Sequence, residues 1–169
     1  MKGLVQRRWG VPLLVVTLLL AGLLTGRLLR PEAPPRTVLA PDPDCDLRAG
    51  PCALALPGGG RIRFGILPRE IPVGKELKLE VWLEGLEAKA VTVDIDGVDM
   101  AMGLSPYPLR RVGPGHFSGP GGLNFCSRGI MEWEARVIVR QEGREIVAPF
   151  RFITQAPDPA SAGTAGGAG

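Results

Sequence analysis

Apolar and polar residues alternate in several short segments in the middle and C-terminal parts of the chain. In the segment 78–83, Leu79, Val81 and Leu83 fall on one face of an extended chain, and the segment 90–95 repeats this pattern. A period of two residues predicts β-strands that bury one face. Similar apolar, β-branched patterns predict three further strands, at residues 60–66, 133–140 and 146–153.

Glycine and proline clusters separate these predicted strands, for example at residues 72–74, 113–115 and 119–122. Short strands with turn residues at close intervals are typical of a β-sandwich. No segment beyond residue 30 keeps a helical period. We therefore predict an all-β domain, a β-sandwich that occupies residues 45–155.

An apolar run without any charge, WGVPLLVVTLLLAGLLTG, begins at Trp9. Its length of about 18 residues is near the lower limit for a helix that spans a bilayer. Lys2, Arg7 and Arg8 precede it, which favours a cytoplasmic N-terminus. A cleaved signal peptide is the alternative, but the run exceeds a usual signal core and no small-x-small site follows directly. We predict an uncleaved, single-pass membrane anchor over residues 1–30.

The basic excess of the chain belongs to this N-terminal segment. Five of the 20 Lys and Arg residues lie in the first thirty positions, which contain no acid, so the rest of the chain has fifteen bases against 17 acids. A nucleic-acid-binding domain needs clustered Lys and Arg on its folded surface. The charge distribution therefore argues against nucleic acid as a partner.

Two further segments lack the pattern of a regular element. Residues 31–44 are rich in proline and acid, which predicts a semi-stiff extended tether. Residues 156–169 are mostly Ala and Gly, too poor in apolar side chains to build a core, which predicts a disordered tail.

Cys45 and Cys52 enclose the six residues DLRAGP at the start of the predicted domain. In an oxidising compartment two cysteines this close are expected to pair. A metal-binding pair is the competing interpretation, although this spacing without a nearby His matches no common zinc motif. We predict a structural disulfide between them.

Sulfur-containing residues gather around the third cysteine, Cys126. Met100 and Met102 lie in GVDMAMGL, and Met131 and Trp133 follow Cys126, on one face of a strand if the next strand has begun. Thioether and thiolate sulfur select Cu(I) over harder ions, so the four sulfur residues are candidate copper ligands, with Trp133 as a neighbouring shield. The alternative is ordinary core packing, in which Met, Trp and a buried free Cys fill gaps.

Catalysis has little support in the sequence. A thiol nucleophile needs a base, and the only His is His116, in a predicted hairpin turn where a solvated side chain is the simpler interpretation. Asp94, Asp96 and Asp99 offer oxygen atoms to Ca²⁺, but Asp94 and Asp96 alternate along a strand, and a solvated strand face explains them. We predict that the protein is not an enzyme.

The motifs CDLRAGPC, GVDMAMG, CSRGIMEWEARV and PFRFIT together resemble an uncharacterised family of membrane-anchored proteins of Gram-negative bacteria. The domain is more loosely similar to FixH- and YtkA-like domains, which are immunoglobulin-like sandwiches linked to copper handling and cytochrome oxidase assembly. This resemblance implies an immunoglobulin-like β-sandwich behind one transmembrane helix, with Met100, Met102, Cys126 and Met131 as ligands. The sequence departs in having a single His, so a copper site containing His must use His116.

These observations predict an inner-membrane protein with a cytoplasmic N-terminus and a periplasmic domain. Its predicted function is to bind or deliver Cu(I) as an accessory in cytochrome oxidase assembly. The resemblance implies an SCO-type copper chaperone or a respiratory oxidase subunit as partner. The alternative is a metal-free structural or interaction module of a membrane complex.

Overall fold

The computed structural model describes residues 4–28, 34–99, 106–123 and 130–155. The chain divides into two compact units, residues 1–33 and residues 34–169. The predicted tail at 156–169 lies outside the described residues.

The N-terminal unit contains one helix, α1, Leu4–Leu28, which includes Pro12. Its described side chains are all exposed, including Leu13, Leu18 and Leu23. The sequence predicted a membrane-spanning helix here, and a helix forms. Among the described residues, however, no helix is both long enough and apolar enough to cross a membrane.

The described part of the second unit forms a mixed sheet of nine strands: β1 Arg36–Val38, β2 Cys52–Ala55, β3 Arg61–Leu67, β4 Glu76–Glu84, β5 Ala90–Gly97, β6 Pro106–Gly113, β7 His116–Gly122, β8 Ile130–Gln141 and β9 Arg144–Gln155. The strand order across the sheet is β1-β9-β8-β5-β6-β7-β4-β3-β2. Only the β1–β9 pair is parallel among these strands. The β-rich fold is confirmed, and the five strands expected from alternation are β3, β4, β5, β8 and β9.

The sheet curls, and strand β6 joins its two halves. The first half of β6 pairs with β5, as in the pair Leu109–Val91, whereas its second half pairs with β7, as in Arg110–Ser118. The curl brings Phe64 of β3 opposite Phe150 of β9, with 5.3 Å between ring centroids. The architecture is thus one curled sheet that encloses a core, rather than two sheets with separate strand sets.

Apolar side chains at alternating positions of the strands fill this core. Along β4, Leu77, Leu79, Val81 and Leu83 are buried while their neighbours are not. Apolar burial of this kind is the main force that stabilises a curled sheet. The largest fully buried side chains include Trp133, Phe64, Phe150, Leu47, Ile62 and Ile66.

Two segments differ from the expectation. The predicted tether contains β1, where Leu39 N donates to Val147 O at 2.9 Å and Glu145 N donates to Pro35 O at 3.0 Å. Backbone pairing with β9 gives this segment a regular structure that its proline content did not suggest. Residues 119–122, interpreted as a turn, lie instead within β7, because glycine there permits close strand packing.

Candidate functional site

Met131 and Trp133 lie on the core face of β8. Met131 is 8% exposed and Trp133 is 2% exposed, so the prediction that they share one face is confirmed. Trp133 Nε1 donates to Thr154 Oγ1 on β9 at 2.8 Å. This hydrogen bond satisfies the one polar atom of the buried indole. It holds the Trp133 side chain in place on the same face of β8 as Met131.

Three of the four predicted ligands, Met100, Met102 and Cys126, lie outside the described residues. A copper site formed by these three residues and Met131, which we call the sulfur set, therefore stays a prediction. Within the described part of the chain, no group of three or more His, Cys, Asp or Glu residues could hold a metal ion.

The described strands that flank these segments end at one edge of the sheet. Val98 N, just past β5, donates to Glu132 O on β8 at 3.0 Å. Tyr107 Oη, at the start of β6, donates to Gly122 O, at the end of β7, at 2.8 Å. Pro106 at the start of β6 is the register partner of Asp94, three residues before β5 ends. The chain therefore leaves β5 and β7, and enters β6 and β8, at the same end of the sheet.

The predicted disulfide is confirmed: Cys45 and Cys52 are bonded, with their Cα atoms 5.6 Å apart. Residues 41–52 form what we call the disulfide loop. Leu47 of this loop is 1% exposed and belongs to the core. Arg69 Nη1 donates to Ala49 O at 2.7 Å and ties the loop to the chain that follows β3.

The disulfide loop and the adjoining ends of β8 and β9 enclose a cleft of about 560 Å³. One wall is the loop, and the other is formed by the β8–β9 pair, in which Glu132 faces Ile153. Its lining combines apolar and charged side chains: Pro41, Asp42, Pro43, Cys45, Asp46, Arg48, Glu132, Arg151, Phe152 and Ile153.

A row of stacked side chains crosses the outer face of β3, β4 and β7. The guanidinium carbon of Arg63 lies 4.7 Å from the ring centroid of Trp82, and Trp82 stacks on His116 at 5.0 Å between centroids with 15° between planes. His116 Nε2 lies 3.7 Å from Glu80 Oε1. His116 is thus half-buried on a strand, which corrects the expectation of a solvated turn residue. Its predicted role beside the sulfur set stays a prediction.

Asp94 also differs from expectation. It is 4% exposed, and its Oδ2 accepts a hydrogen bond from Arg136 Nη2 at 2.9 Å, across β5 and β8. The solvated strand face predicted for Asp94 is therefore wrong for this residue. A buried carboxylate with a directly opposed guanidinium is a structural ion pair.

No family model matches this chain, and no curated protein or solved structure matches it significantly. The chemistry of its own residues is therefore the basis for a functional assignment.

Proposed function

We propose that this chain is a membrane-anchored, periplasmic protein that binds or delivers Cu(I) as an accessory in cytochrome oxidase assembly. The observation that carries the proposal is the meeting of four strand ends at one edge of the sheet. These ends lead into the two segments that contain Met100, Met102 and Cys126, and Met131 lies at the same edge.

Chain geometry supports a common sulfur site. Met100 is two residues beyond Val98, and Cys126 is four residues before Ile130. An extended chain covers at most about 3.6 Å per residue, which limits the distance from either Cα atom to the start of β8 to roughly 15 Å. Thioether and thiolate donors are the ligands that select Cu(I). Cys45 and Cys52 are not donors here, because they are bonded to each other.

The membrane anchor is part of the same proposal and is supported by helix α1. The described side chains of α1 are apolar on all sides of the helix apart from Thr17 and Thr25, and all are exposed. A helix that is apolar all round needs an apolar environment. The flanking Lys and Arg residues favour an inner-membrane orientation with the sheet in the periplasm.

We also propose that the curled sheet belongs to the immunoglobulin-like class. The facing of Phe64 and Phe150 across a shared core, as between the layers of a sandwich, supports this assignment. Strand β6 connects the two halves of the sheet without a break. An SCO-type chaperone or an oxidase subunit would be the partner that exchanges copper with this domain.

The test is a Cu(I) titration of the full chain in detergent micelles, in competition with a Cu(I) chelator. We expect one tightly bound equivalent in the wild type. Outer-shell changes alone typically weaken metal binding by about tenfold or more, so Cys126→Ser and Met131→Leu, which each remove a donor, should weaken binding at least that much. Ile146→Leu is the packing control, because it alters a buried residue near the opposite end of β9 and removes no sulfur. Equally poor binding by the wild type and all variants would refute the copper proposal.

A metal-free interaction module is the second candidate function. It is favoured by Val98, Ile130 and Ile153, which are apolar and are 38%, 66% and 54% exposed. Exposed apolar side chains that lie together indicate a surface for a partner. A protein of this kind would bind its partner equally well with and without Cu(I).

A further inference from the structure

The cleft beside the disulfide loop has the size and the rigidity of a binding site. Its volume of about 560 Å³ falls within the range of about 300–1,000 Å³ that is usual for ligand sites. The Cys45–Cys52 bond and the Arg69–Ala49 hydrogen bond hold one wall. The continuous β8–β9 ladder holds the other wall. A groove with two fixed walls binds without a large ordering cost.

The cleft has apolar side chains from both faces of β9. Phe152 is 7% exposed and belongs to the core, whereas Ile153, on the opposite face, is 54% exposed. Ile153 is the register partner of Glu132, whose carbonyl oxygen accepts the hydrogen bond from Val98 N. Ile130, 66% exposed, lies two residues from Glu132 on the same face of β8. Ile153 and Ile130 therefore lie close together as an exposed apolar strip on the outer face of β8 and β9.

The rim of the cleft is acidic. Asp42 and Asp46 each use one carboxylate oxygen to accept a backbone N–H of the loop, from Asp44 and Arg48 respectively, both at 3.0 Å. Neither carboxylate makes an ion pair within the described residues. These two negative charges therefore remain available to a ligand.

The opposite wall is neutral within the lining. Arg151 Nη1 lies 3.9 Å from Glu132 Oε1, and Arg151 Nε lies 3.0 Å from Oε2 of Glu134, which does not line the cleft. Arg48 is the remaining base of the lining. The lining as a whole has three acids against two bases, and a positive charge on a ligand is favoured.

We infer that this cleft binds an extended peptide segment of a partner protein in which basic side chains alternate with apolar ones. The apolar side chains of the segment contact Ile153 and Ile130, while its ammonium or guanidinium groups face Asp42 and Asp46. The peptide lies across the outer face of β8 and β9, and its binding needs no movement of the sheet. This docking site does not depend on bound copper and stands or falls separately from the proposed function.

The test uses a fluorescein-labelled pentapeptide of alternating lysine and isoleucine, with alternating glutamate and isoleucine as the control peptide. Anisotropy is measured with the full chain in uncharged detergent micelles, against empty micelles. The Asp42→Asn, Asp46→Asn double variant keeps the oxygen atoms that accept the loop N–H groups but removes both charges. Exposed ion pairs contribute about 0.2–1 kcal/mol each, so this variant should bind roughly two- to thirtyfold more weakly. Ile153→Thr, which keeps a β-branched residue, should also weaken binding.

Asp44→Asn is the matched control, because Asp44 belongs to the same loop but does not line the cleft. It should leave the affinity within about twofold of wild type. The inference is overturned if the basic peptide does not bind, if the acidic peptide binds as well, or if Asp44→Asn weakens binding as much as the double variant. Concentration-dependent sedimentation that Ile153→Thr abolishes would overturn it in favour of a second copy of this chain as the occupant.

Discussion

Gly121 shows how one residue position sets the spacing between two strands. A Cβ atom at this position would lie 2.5 Å from Cδ1 and 2.7 Å from Cγ of Leu79 on the neighbouring strand β4. Leu79 is fully buried and cannot retreat without displacing the core. The absence of a side chain at Gly121 therefore allows β7 and β4 to pair over a close-packed leucine.

We expect Gly121→Ala to destabilise the protein by about 1–3 kcal/mol, the range for overpacking a core. Urea unfolding followed by circular dichroism measures this change as a lower midpoint at constant slope. Gly50→Ala is the control, since a Cβ at Gly50 meets nothing within 4 Å. Equal midpoints for the two variants would show that Leu79 does not resist the added methyl group.

Residue type alone gave wrong predictions for residues 119–122 and for Asp94, and the reason is physical. Glycine and proline in 119–122 have turn chemistry, but pairing with other strands, such as the close approach of Leu79 to Gly121, places them in a strand. Asp94 likewise has a polar side chain on a strand, and only the pairing of β5 with β8 places Arg136 opposite it. Local propensity carries no information on such long-range neighbours.

Among the elements, β5 and β8 are joined by the ion pair between Asp94 and Arg136. The Asp94 side chain is 6% exposed and that of Arg136 is 30% exposed. Burying a carboxylate is costly unless a partner compensates for its lost hydration. The pair therefore matters more for the register of these strands than an exposed salt bridge would.

We expect Arg136→Met to lower the free energy of unfolding by about 2–3 kcal/mol. This loss is smaller than the loss of about 3–5 kcal/mol that follows when a fully buried pair is broken, because Arg136 is partly exposed. The double variant Asp94→Val, Arg136→Met should recover most of the loss, since it leaves no unpaired buried charge. Chemical denaturation of both variants at neutral pH measures the difference. A double variant as unstable as Arg136→Met would contradict this account.

The elements that alternation predicted are those with one face in the core. Strands β3, β4, β5, β8 and β9 carry regular apolar positions. The other four strands do not, because β1 and β2 are short edge strands and β6 and β7 are rich in proline or glycine. Tertiary pairing, rather than their own pattern, makes them strands.

The outermost strands of the sheet, β1 and β2, are short and bordered by proline. Strand β1 has 3 residues and follows Pro34 and Pro35, and β2 has 4 residues between Pro51 and Pro57. Proline offers no N–H to a neighbouring strand. Short, proline-bordered edges limit pairing with other chains.

At the scale of the whole molecule, the disulfide loop closes one end of the curled sheet. The bridge spans 7 positions in the sequence, and a loop of this size contributes roughly 2–3 kcal/mol in the chain-entropy estimate. Cys45→Ala, Cys52→Ala should lower stability by about that amount. Amide hydrogen exchange should speed up in residues 45–50 while β8 and β9 stay protected. Unchanged exchange in the loop would mean that Leu47 and Arg69 hold it without the bridge.

The candidate site was only partly predictable at this scale. The pairing of Cys45 with Cys52 follows from their nearness in sequence, and the shared face of Met131 and Trp133 follows from alternation. Neither nearness in sequence nor alternation predicts the cleft or the row of stacked side chains Arg63, Trp82 and His116. Both depend on register between strands that are distant in sequence, which no local pattern encodes.

The parallel pairing of β1 with β9 has a mechanical consequence. Pro35 O and Leu39 N are hydrogen-bonded to β9, and Arg36 lies 3.2 Å from Glu145. Tension on the chain before Pro35 reaches the core through these contacts. A load along the strand axis shears them together instead of peeling them off one by one. Strand β1 therefore resists a pull on the chain before Pro35 with all of these contacts at once.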